Sequence, residues 1–310
     1  MNDIETTLRQ FSQGEIDKPT FIRLMYERHH AGLFDYARHL GRTNIKKIEI
    51  EDGRVIMTSR DRGVRIACAP GDYRIAPVEI LNFLDYEKQE LAMMENLVSD
   101  GDCFFDIGAN IGWYSINIAT SRRAARVHAF EPVPRTFGQL QTNVALNAVP
   151  NVVIHNFGFH NEARELDFYY YPQGSGNASS ANVSERADVE VVRCQVRTVD
   201  DYVAASGARV DFMKCDVEGA ELFVFEGGRK TIAQNRPIVF SEILRKWSAR
   251  FDYNPNRIFE LFRDYGYRSF TAKGQRLVNF ENMDEDTLET NFFFLHAEKH
   301  GEVIRRFGCS

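Results

Sequence analysis

The sequence lacks three features that would each indicate a particular class of protein. Its five cysteines form no CxxC pair, and with the eight histidines they show no zinc-ligand spacing, which disfavours a disulfide framework and a zinc site. No apolar run approaches the length of a membrane span. The net charge is −6, and the lysines and arginines are dispersed along the chain, which disfavours a dedicated nucleic-acid binder.

Apolar residues, by contrast, are plentiful. Of the 310 residues, 44% are hydrophobic and 12% aromatic, which is enough for one large globular domain or for a domain with an extension. The first residues, MNDIETTLRQ, carry acids and no apolar segment typical of a signal peptide. An odd, scattered set of cysteines is typical of reduced thiols. We therefore expect a soluble, cytoplasmic protein that acts on a small molecule and binds neither nucleic acid nor a membrane.

The N-terminal part of the chain predicts a small extension. Residues 21–40 space their apolar side chains at three and four, as an amphipathic helix does. Residues 45–59 alternate around an Asp-Gly pair, which is a hairpin signal, and GVRIACAP is typical of a third strand. The sequence thus predicts an N-terminal helix and β-hairpin extension over residues 1–80 and a main domain over residues 81–310.

From about residue 87, strands alternate with helices. DCFFDIG, ARVHAFEP, NVVIHNF, RVDFMKCD, PIVFSEI and TNFFFLHAE are typical of strands, and most of the segments between them have helical spacing. Such units connect through right-handed crossovers, so they predict an α/β fold with a doubly wound, mostly parallel sheet and helices on both faces. The low-complexity residues 171–184 predict a loop.

Acidic residues stand at the carboxyl ends of four predicted strands. They are Asp106, Glu131, Asp216 and Glu242. Each one alone has a structural explanation, such as a turn or a helix start, where an acid is favoured by the free N–H groups. Ligands of doubly wound sheets bind at this edge. Because independent caps have no reason to fall at successive strand ends, the set together predicts a ligand site.

The segment DIGANIG follows the first of these strands. Gly108 and Gly112 allow a tight turn and a close approach of the backbone to a ligand. A dinucleotide fingerprint would need two further glycines at the positions of Asn110 and Trp113. The loop therefore disfavours a pyrophosphate-binding site.

The charges beside this loop indicate a different ligand. The carboxylate of Asp106 suits a cationic ligand, whereas a pyrophosphate prefers a bare helix N-terminus. Glu131, at the end of the next strand, is placed to accept both hydroxyls of a ribose. An adenosine-like group with a positive charge and no pyrophosphate describes S-adenosylmethionine.

Three segments of the chain resemble the FkbM-type methyltransferases, a family with the Rossmann-like class I S-adenosylmethionine-dependent fold. They are DYEKQELAMMENLVSDGDCFFDIGANIGWYSINIA, VHAFEPVPRTFGQLQTNVALN and VDFMKCDVEGAELFVFEGG. The resemblance extends from about residue 75 to 297, and DVEGAE is its more specific block. It implies an S-adenosylmethionine-dependent O-methyltransferase that acts on a hydroxyl group of a sugar or a polyketide-like small molecule.

The resemblance also implies which residues bind the cofactor. Asp106, Gly108, Asn110 and Gly112 match positions that hold the methionine part, and Glu131 matches the ribose ligand. Tyr86 and Glu87 resemble a Tyr-Glu pair that closes over the cofactor, and the adenine is expected near Phe157. Neighbouring positions complete the predicted set: Ala109, Tyr114, Ser115, Pro132 and Asp216.

Methyl transfer to a hydroxyl needs an aligned acceptor and the loss of its proton. Asp216, Glu218 and Glu242 are the candidate catalytic residues, and His160 is a weaker candidate because a lone loop histidine is more often structural. Mg²⁺ bound by Asp216 and Glu242 is an alternative that the sequence does not favour, and no metal ligand is predicted.

Four residues are candidates for acceptor binding. Ser179 and Ser180 match a loop near the active site of the resembling family, whereas Arg245 and Trp247 follow the strand that ends at Glu242. Arg245 could bind an anionic group and Trp247 could stack on a sugar. A solvated loop is the competing interpretation of this segment.

Two rival functions stay open at the level of sequence, and so does the role of the extension. One rival is an NAD-dependent dehydrogenase, which the glycine loop disfavours, and the other is a catalytically silent S-adenosylmethionine-binding protein. The amphipathic helix of the extension predicts a lid or a homodimer contact.

Overall fold

A computed structural model describes residues 3–183 and 189–309. Its strands are β1 (Ile45–Glu51), β2 (Arg54–Ser59), β3 (Arg65–Cys68), β4 (Cys103–Ile107), β5 (Arg126–Phe130), β6 (Val152–His155), β7 (Gly158–Phe159), β8 (Arg164–Tyr170), β9 (Glu190–Arg197), β10 (Phe212–Cys215), β11 (Ile238–Glu242), β12 (Tyr267–Lys273), β13 (Arg276–Phe280), β14 (Asn291–His296) and β15 (Gly308–Cys309). Its α-helices are α1 (Ile4–Ser12), α2 (Lys18–Met25), α3 (Ala31–His39), α4 (Ala76–Phe83), α5 (Lys88–Leu97), α6 (Trp113–Ser121), α7 (Pro134–Asn147), α8 (Val199–Ser206), α9 (Glu221–Glu226), α10 (Arg229–Asn235), α11 (Arg245–Ser248), α12 (Asn256–Asp264) and α13 (Gly301–Phe307). Short 3₁₀ helices cover Leu40–Arg42, Ser175–Asn177 and Ala249–Phe251.

The central sheet confirms the predicted α/β class and the doubly wound, mostly parallel, Rossmann-like order. Within the described residues it has nine strands in the order β6-β5-β4-β10-β11-β14-β12-β13-β15. The five strands from β6 to β11 are all parallel to their neighbours. The order reverses beside β4, and this switch point is where such sheets bind ligands.

The last predicted strand, β14, does not run parallel to its neighbours in the sheet. β14 inserts between β11 and β12 and is antiparallel to both. Because β13 and β14 are both antiparallel to β12, they are parallel to each other. The chain between Phe280 and Asn291, which contains no helix, therefore joins two parallel strands that lie on either side of β12.

The strands of the sheet are apolar on both faces, because helices cover both. In β4, Phe104 joins one buried cluster and Phe105 joins the other. In β10, Phe212 and Met213 alternate in the same way. Since successive side chains of a strand point to opposite faces, a strand buried on both sides reads as a continuous apolar run. This core holds the strand ends, and with them the site, at fixed positions.

The extension packs on the same core. The predicted hairpin is confirmed as the pair β1 and β2, whose turn has positive φ at Asp52 and Gly53, and β3 completes an antiparallel sheet. Side chains of this small sheet, including Ile66, belong to the same buried cluster as Phe104. Helix α4 crosses the proposed boundary at residue 80. The division into 1–80 and 81–310 therefore stays a prediction.

Asparagine side chains join the outer edge of β3 to the main domain. The Asn143 side chain on α7 accepts from the N–H of Ala67 at 2.9 Å and donates to the carbonyl of Ile111 at 2.9 Å. Asn147 accepts from the N–H of Arg65 at 2.8 Å and donates to its carbonyl at 2.6 Å. Through Asn143, the extension contacts the loop that carries the two predicted cofactor glycines.

The amphipathic helix predicted over residues 21–40 is confirmed, with an interruption. Helices α2 and α3 are joined by a π-helical turn at Tyr26–His30. Ile22, Leu33 and Phe34 on these helices are more than half exposed. No helix among residues 3–183 and 189–309 is long and apolar enough to cross a membrane. Residues 1, 2, 184–188 and 310 of the two predicted domains lie outside the described residues, and residue 184 is the last of the predicted loop 171–184.

The turn between β10 and α9 carries Glu218 and is held in shape by Glu221. Oε1 of Glu221 accepts from the N–H groups of Val217 and Gly219, both at 3.0 Å. The hydroxyl of Tyr253 donates to the carbonyl of Gly219 at 2.8 Å. Burial raises the pKa of the Glu221 carboxyl to about 7 despite these bonds. The turn is therefore built around an acid that costs free energy to ionise.

We expect Glu221→Gln to reduce the pH dependence of folding stability. A carboxyl whose folded-state pKa is raised to about 7 stabilises the fold below its unfolded pKa, and this contribution is lost as pH rises through 7. Glutamine keeps one acceptor for both N–H groups and never ionises. Between pH 5 and pH 8 the wild type should lose on the order of 2 kcal/mol of unfolding free energy that the variant retains.

Urea unfolding at the two pH values measures this difference. Glu226→Gln is the matched control, because Glu226 lies at the other end of α9 and pairs with Arg229 and Arg257. Equal pH slopes for the wild type and Glu221→Gln would show that the Glu221 carboxyl binds the same number of protons in the folded and unfolded states, so that folding does not raise its pKa.

Candidate functional site

A cavity of about 250 Å³ opens at the carboxyl ends of β4, β5, β10 and β11. It brings together most of the residues that the sequence predicted for the site. The predicted residues that line it are Tyr86, Glu87, Gly108, Ala109, Asn110, Tyr114, Glu131, Pro132, Asp216, Glu218, Glu242 and Trp247. The strand ends thus meet at one edge, as the topology requires.

Lys214 lies at the base of this cavity and was missed by the sequence reasoning. Its ammonium is 3.3 Å from Asp106 Oδ1 and 3.3 Å from Asp216 Oδ2, and it donates to the carbonyl of Gly108 at 2.9 Å. Burial lowers the pKa of Lys214, but the carboxylates of Asp216 and Asp106 outweigh this and raise it. A lysine within the apolar segment VDFMKCD was the signal that could have found it.

Asp106 and Ser115 support the loop between them and do not line the cavity. Oδ2 of Asp106 accepts from the N–H of Ser115 at 3.0 Å and from its hydroxyl at 2.6 Å. Asp106 is fully buried, and its other oxygen faces Lys214. The structure therefore places this carboxylate beneath the cavity, where it connects β4 to the first turn of α6.

The two glycines of this loop are required by close packing. Gly108 has φ +76°, and a Cβ there would clash with the carbonyl oxygen of Asp216. Gly112 has φ +92°, and a Cβ there would lie 2.7 Å from Leu140 Cδ1. A side chain at Gly108 would push apart the ends of β4 and β10. Gly112 itself begins α6 without lining the cavity.

Glu131 presents a buried carboxylate to the cavity. Its Oε2 accepts from the N–H of Asn110 at 3.0 Å, and its Oε1 accepts from the N–H of Val133 at 2.9 Å. Only 5% of the residue is exposed, and burial raises the pKa of its carboxyl to about 7. Each oxygen keeps a lone pair, so the pair of oxygens can accept two adjacent hydroxyls.

Tyr86 and Glu87 close one side of the cavity. Glu87 accepts from the hydroxyl of Tyr114, and also from Asn291 Nδ2 at 3.2 Å. It has a positive φ of 41°, a conformation that costs free energy in a non-glycine residue. Burial raises the pKa of the Glu87 carboxyl. This strained residue starts α5 and directs its carboxylate into the site.

Asp216, Glu218 and Glu242 form an acidic cluster in the cavity. One oxygen of each lies within 4.8 Å of the others. Glu218 has a positive φ of 57° and is 8% exposed. Burial, and then the charge of Asp216, raises the pKa of both Glu218 and Glu242. The cluster is a concentration of oxygen atoms that suits a cation or a polar hydrogen.

Several predicted residues lie outside this cavity, or line only its margin. Phe157 packs in the core beneath the guanidinium of Arg197, 4.3 Å from its ring centre. Ser179 is buried and donates to the carbonyl of Glu218 at 2.8 Å, while Ser180 lines a smaller neighbouring cavity with His160. His160 stacks on Phe223 with ring centres 4.8 Å apart.

Of the two candidate residues after β11, one lines the cavity and the other binds a loop. Trp247 lines the cavity, with the ammonium of Lys246 5.0 Å from its ring centre. Arg245 donates to the carbonyls of Asp284 and Glu285, the second at 2.9 Å. Trp247 is therefore placed to contact an acceptor, whereas the guanidinium of Arg245 already donates hydrogen bonds to carbonyls of a loop. The acceptor-binding role of both stays a prediction.

Residues of the extension reach the cavity, which the sequence reasoning did not predict. Arg74 and Glu79 line it and form an ion pair with Nε and Oε1 2.7 Å apart. Of the charged side chains around the cavity, two are basic and six acidic: Arg74, Lys214, Glu79, Glu87, Glu131, Asp216, Glu218 and Glu242. This balance suits a cationic ligand better than an anionic one.

Comparison with known proteins assigns the main domain. Residues 106–269 match the family model described as the Methyltransferase FkbM domain. The AMB antimetabolite synthetase AmbE of Pseudomonas aeruginosa is 28% identical over 240 residues, which cover 64% of this chain and 11% of that protein. The 31-O-demethyl-FK506 methyltransferase FkbM of Streptomyces tacrolimicus is 27% identical over 155 residues, which cover 41% of this chain and 59% of that protein.

A third relative is the hexuronic acid methyltransferase AglP of Haloferax volcanii. It is 26% identical over 144 residues, which cover 46% of this chain and 56% of that protein. The chain thus spans little more than half of the two methyltransferases and a ninth of the synthetase. The family model covers more than half of the chain, so the protein belongs to the FkbM-domain methyltransferase family.

Proposed function

We propose that the protein transfers a methyl group from S-adenosylmethionine to a hydroxyl group of a sugar or polyketide-like small molecule. The observation that carries this proposal is the buried carboxylate of Glu131, which lies in one cavity with the acidic cluster. The names of two relatives, which state a hexuronic acid and 31-O-demethyl-FK506 as their substrates, support a small-molecule acceptor.

The charges and hydrogen-bonding groups of the cavity suit S-adenosylmethionine. Glu131 has two oxygens available for the ribose hydroxyls, and Gly108 and Asn110 bring backbone into the cavity beside it. The excess of acidic side chains suits a ligand with a sulfonium and an ammonium group. When bound, S-adenosylmethionine supplies an electrophilic methyl group. Asp106, Gly112 and Ser115 hold the loop in shape from outside the cavity.

The family assignment disfavours both rival functions. An NAD-dependent dehydrogenase would need a glycine loop for the pyrophosphate, and this chain carries Asn110 and Trp113 at two of its three glycine positions. A silent binding protein would have no use for a cluster of three carboxylates in which burial raises the pKa of Glu218 and Glu242. Methyl transfer accounts for both features.

The acidic cluster is where the acceptor is activated. Asp216, Glu218 and Glu242 are within reach of one another, so the acceptor hydroxyl can donate to one carboxylate while the others orient it. Deprotonation raises the nucleophilicity of the hydroxyl oxygen. Trp247 forms a neighbouring wall on which a sugar ring can stack, and Ser179 positions the backbone of Glu218.

Glu131→Gln should weaken S-adenosylmethionine binding by about 1.5–3 kcal/mol, the scale of hydrogen bonds to a charged group. The amide has one acceptor where the carboxylate has two, and its NH₂ group would face an N–H of the backbone. Isothermal titration calorimetry measures the affinity, and Glu226→Gln is again the control. An unchanged affinity would remove Glu131 from the cofactor site.

Separate Asp216→Asn, Glu218→Gln and Glu242→Gln variants should identify the proton acceptor. We expect the change at that residue to lower kcat by about 10²- to 10⁴-fold, the contribution typical of a general base, with little change in cofactor affinity. Single-turnover assays with a panel of sugars and macrolides measure it. Near-normal kcat in all three variants would mean that these acids serve only folding and binding.

We also propose that residues 1–80 form an extension through which two copies associate, and that residues 81–310 form the methyltransferase domain. The exposed apolar side chains of α2 and α3 support this, because contiguous apolar surface on a soluble protein marks an interaction site. A second copy would cover Ile22, Leu33 and Phe34.

Light scattering after gel filtration tests this association. The wild type should have a mass near twice 35.7 kDa, and a Leu33→Glu, Phe34→Glu double variant should have the mass of one chain. Ile50→Glu is the control, because Ile50 is an apolar side chain that is 76% exposed on β1 and not on α2 or α3. A monomeric wild type would contradict the proposal.

A further inference from the structure

The acidic cluster has the composition of a binding site for a metal ion. We propose that Asp216, Glu218 and Glu242 hold one divalent cation of the oxygen-binding kind, such as Mg²⁺, Mn²⁺ or Ca²⁺. Carboxylate oxygens are the preferred ligands of these ions. The sequence offered Mg²⁺ on Asp216 and Glu242 only as an alternative that it did not favour, and the structure adds Glu218 to this pair.

The size of the cluster fits one ion. Its three oxygens lie within 4.8 Å of one another. Two oxygens that bind the same Ca²⁺ at about 2.4 Å can be separated by at most about 4.8 Å, and the limit for Mg²⁺ at about 2.1 Å is about 4.2 Å. Side-chain shifts of a few tenths of an ångström therefore bring all three oxygens to one ion.

Two buried oxygen atoms without hydrogen-bond partners support the site independently. Oε2 of Glu218 is one of them, on a residue that is only 8% exposed. The other is Oδ1 of Asn291, which stands opposite Glu242 in the register of β11 and β14. Nδ2 of Asn291 donates to Glu87, whereas its oxygen has no partner among the described residues. An unpartnered buried oxygen costs free energy that a cation would recover.

The neighbouring basic groups do not neutralise the cluster. Lys214 is shared between Asp106 and Asp216 through one oxygen of each, and Arg74 pairs with Glu79. Glu218 and Glu242 have no such ion pair among the described residues. A charge of +2 balances these two carboxylates, which one ammonium group does not.

The role of the ion rests on the proposed function. The acceptor hydroxyl binds the ion as a further ligand, which lowers the pKa of that hydroxyl. Its O–H bond breaks, and the proton passes to a carboxylate oxygen of the cluster that does not bind the ion, and then to water. A bond forms between the acceptor oxygen and the methyl carbon as the carbon–sulfur bond breaks, leaving a neutral thioether.

Titration of the full-length protein with Mn²⁺, after removal of metals with EDTA, tests the site directly. Electron paramagnetic resonance of free Mn²⁺ should show one bound ion with Kd below about 1 mM, the weak end of protein sites for such ions. Tb³⁺ offers a second readout, because the two tryptophans of the chain, Trp113 and Trp247, both line the cavity and should sensitise its luminescence.

Glu218→Gln and Glu242→Gln should each weaken Mn²⁺ binding by at least about 10-fold, since changes even behind metal ligands cost that much. Glu226→Gln, at an acid outside the cavity, should leave it unchanged. No saturable binding by the wild type, or equal affinity in the two variants and the control, would overturn the proposal whether or not a variant folds poorly.

Calorimetry with S-adenosylmethionine separates this proposal from the proposed function. Mn²⁺ binding without cofactor binding would sustain the metal site and contradict the methyltransferase cofactor assignment. Cofactor binding and turnover that persist in EDTA, without Mn²⁺ binding, would sustain the proposed function and contradict the metal site.

Discussion

The buried ammonium of Lys214 is the interaction on which the site depends. It joins Asp106 in β4, Asp216 after β10 and the carbonyl of Gly108, so two adjacent strand ends and the glycine loop share one cation. Removing a single partner from such a group leaves an uncompensated buried charge, which typically costs about 3–5 kcal/mol. This cation compensates the carboxylates of Asp106 and Asp216, the two acids nearest to it.

Around that centre, the chain stores backbone strain at the residues that face the cavity. Glu87, Asn110 and Glu218 all have positive φ although none is glycine, and each such residue costs of order 1–3 kcal/mol. The N–H of Asn110 donates to the carboxylate of Glu131. Hydrogen bonds from Ser179 and to Glu221 stabilise the turn that carries Glu218. Surrounding hydrogen bonds therefore fix side chains that would otherwise relax away from the ligand. This is the preorganisation that binding and catalysis require.

Much of this arrangement could be predicted from the sequence, because it follows from local pattern and strand topology. Alternation predicted the hairpin, and acids after apolar segments predicted the cavity wall at Glu131 and Glu242. The direction of β14 could not be predicted, since no local pattern marks the segment between Phe280 and Asn291 as a helix-free connection between the parallel strands β13 and β14. Phe157 and Arg245 were predicted to contact ligands, but Phe157 packs against Arg197 and Arg245 donates to carbonyls of the 284–287 loop. These partners are distant in sequence, so local pattern could not reveal them. The role of Lys214 could not be predicted for the same reason, because its partners Asp106 and Asp216 belong to the ends of two different strands.

The asparagines of α7 have a consequence for the behaviour of the protein in concentrated solution. The outer edge of a sheet presents unpaired N–H and carbonyl groups, and an uncovered edge is a template on which a strand of another chain can add. Asn143 and Asn147 occupy these groups on β3, with side chains from a helix taking the place of a neighbouring strand. The small N-terminal sheet is thereby closed on that side to strand addition, so the apolar helices can associate without starting edge-to-edge aggregation.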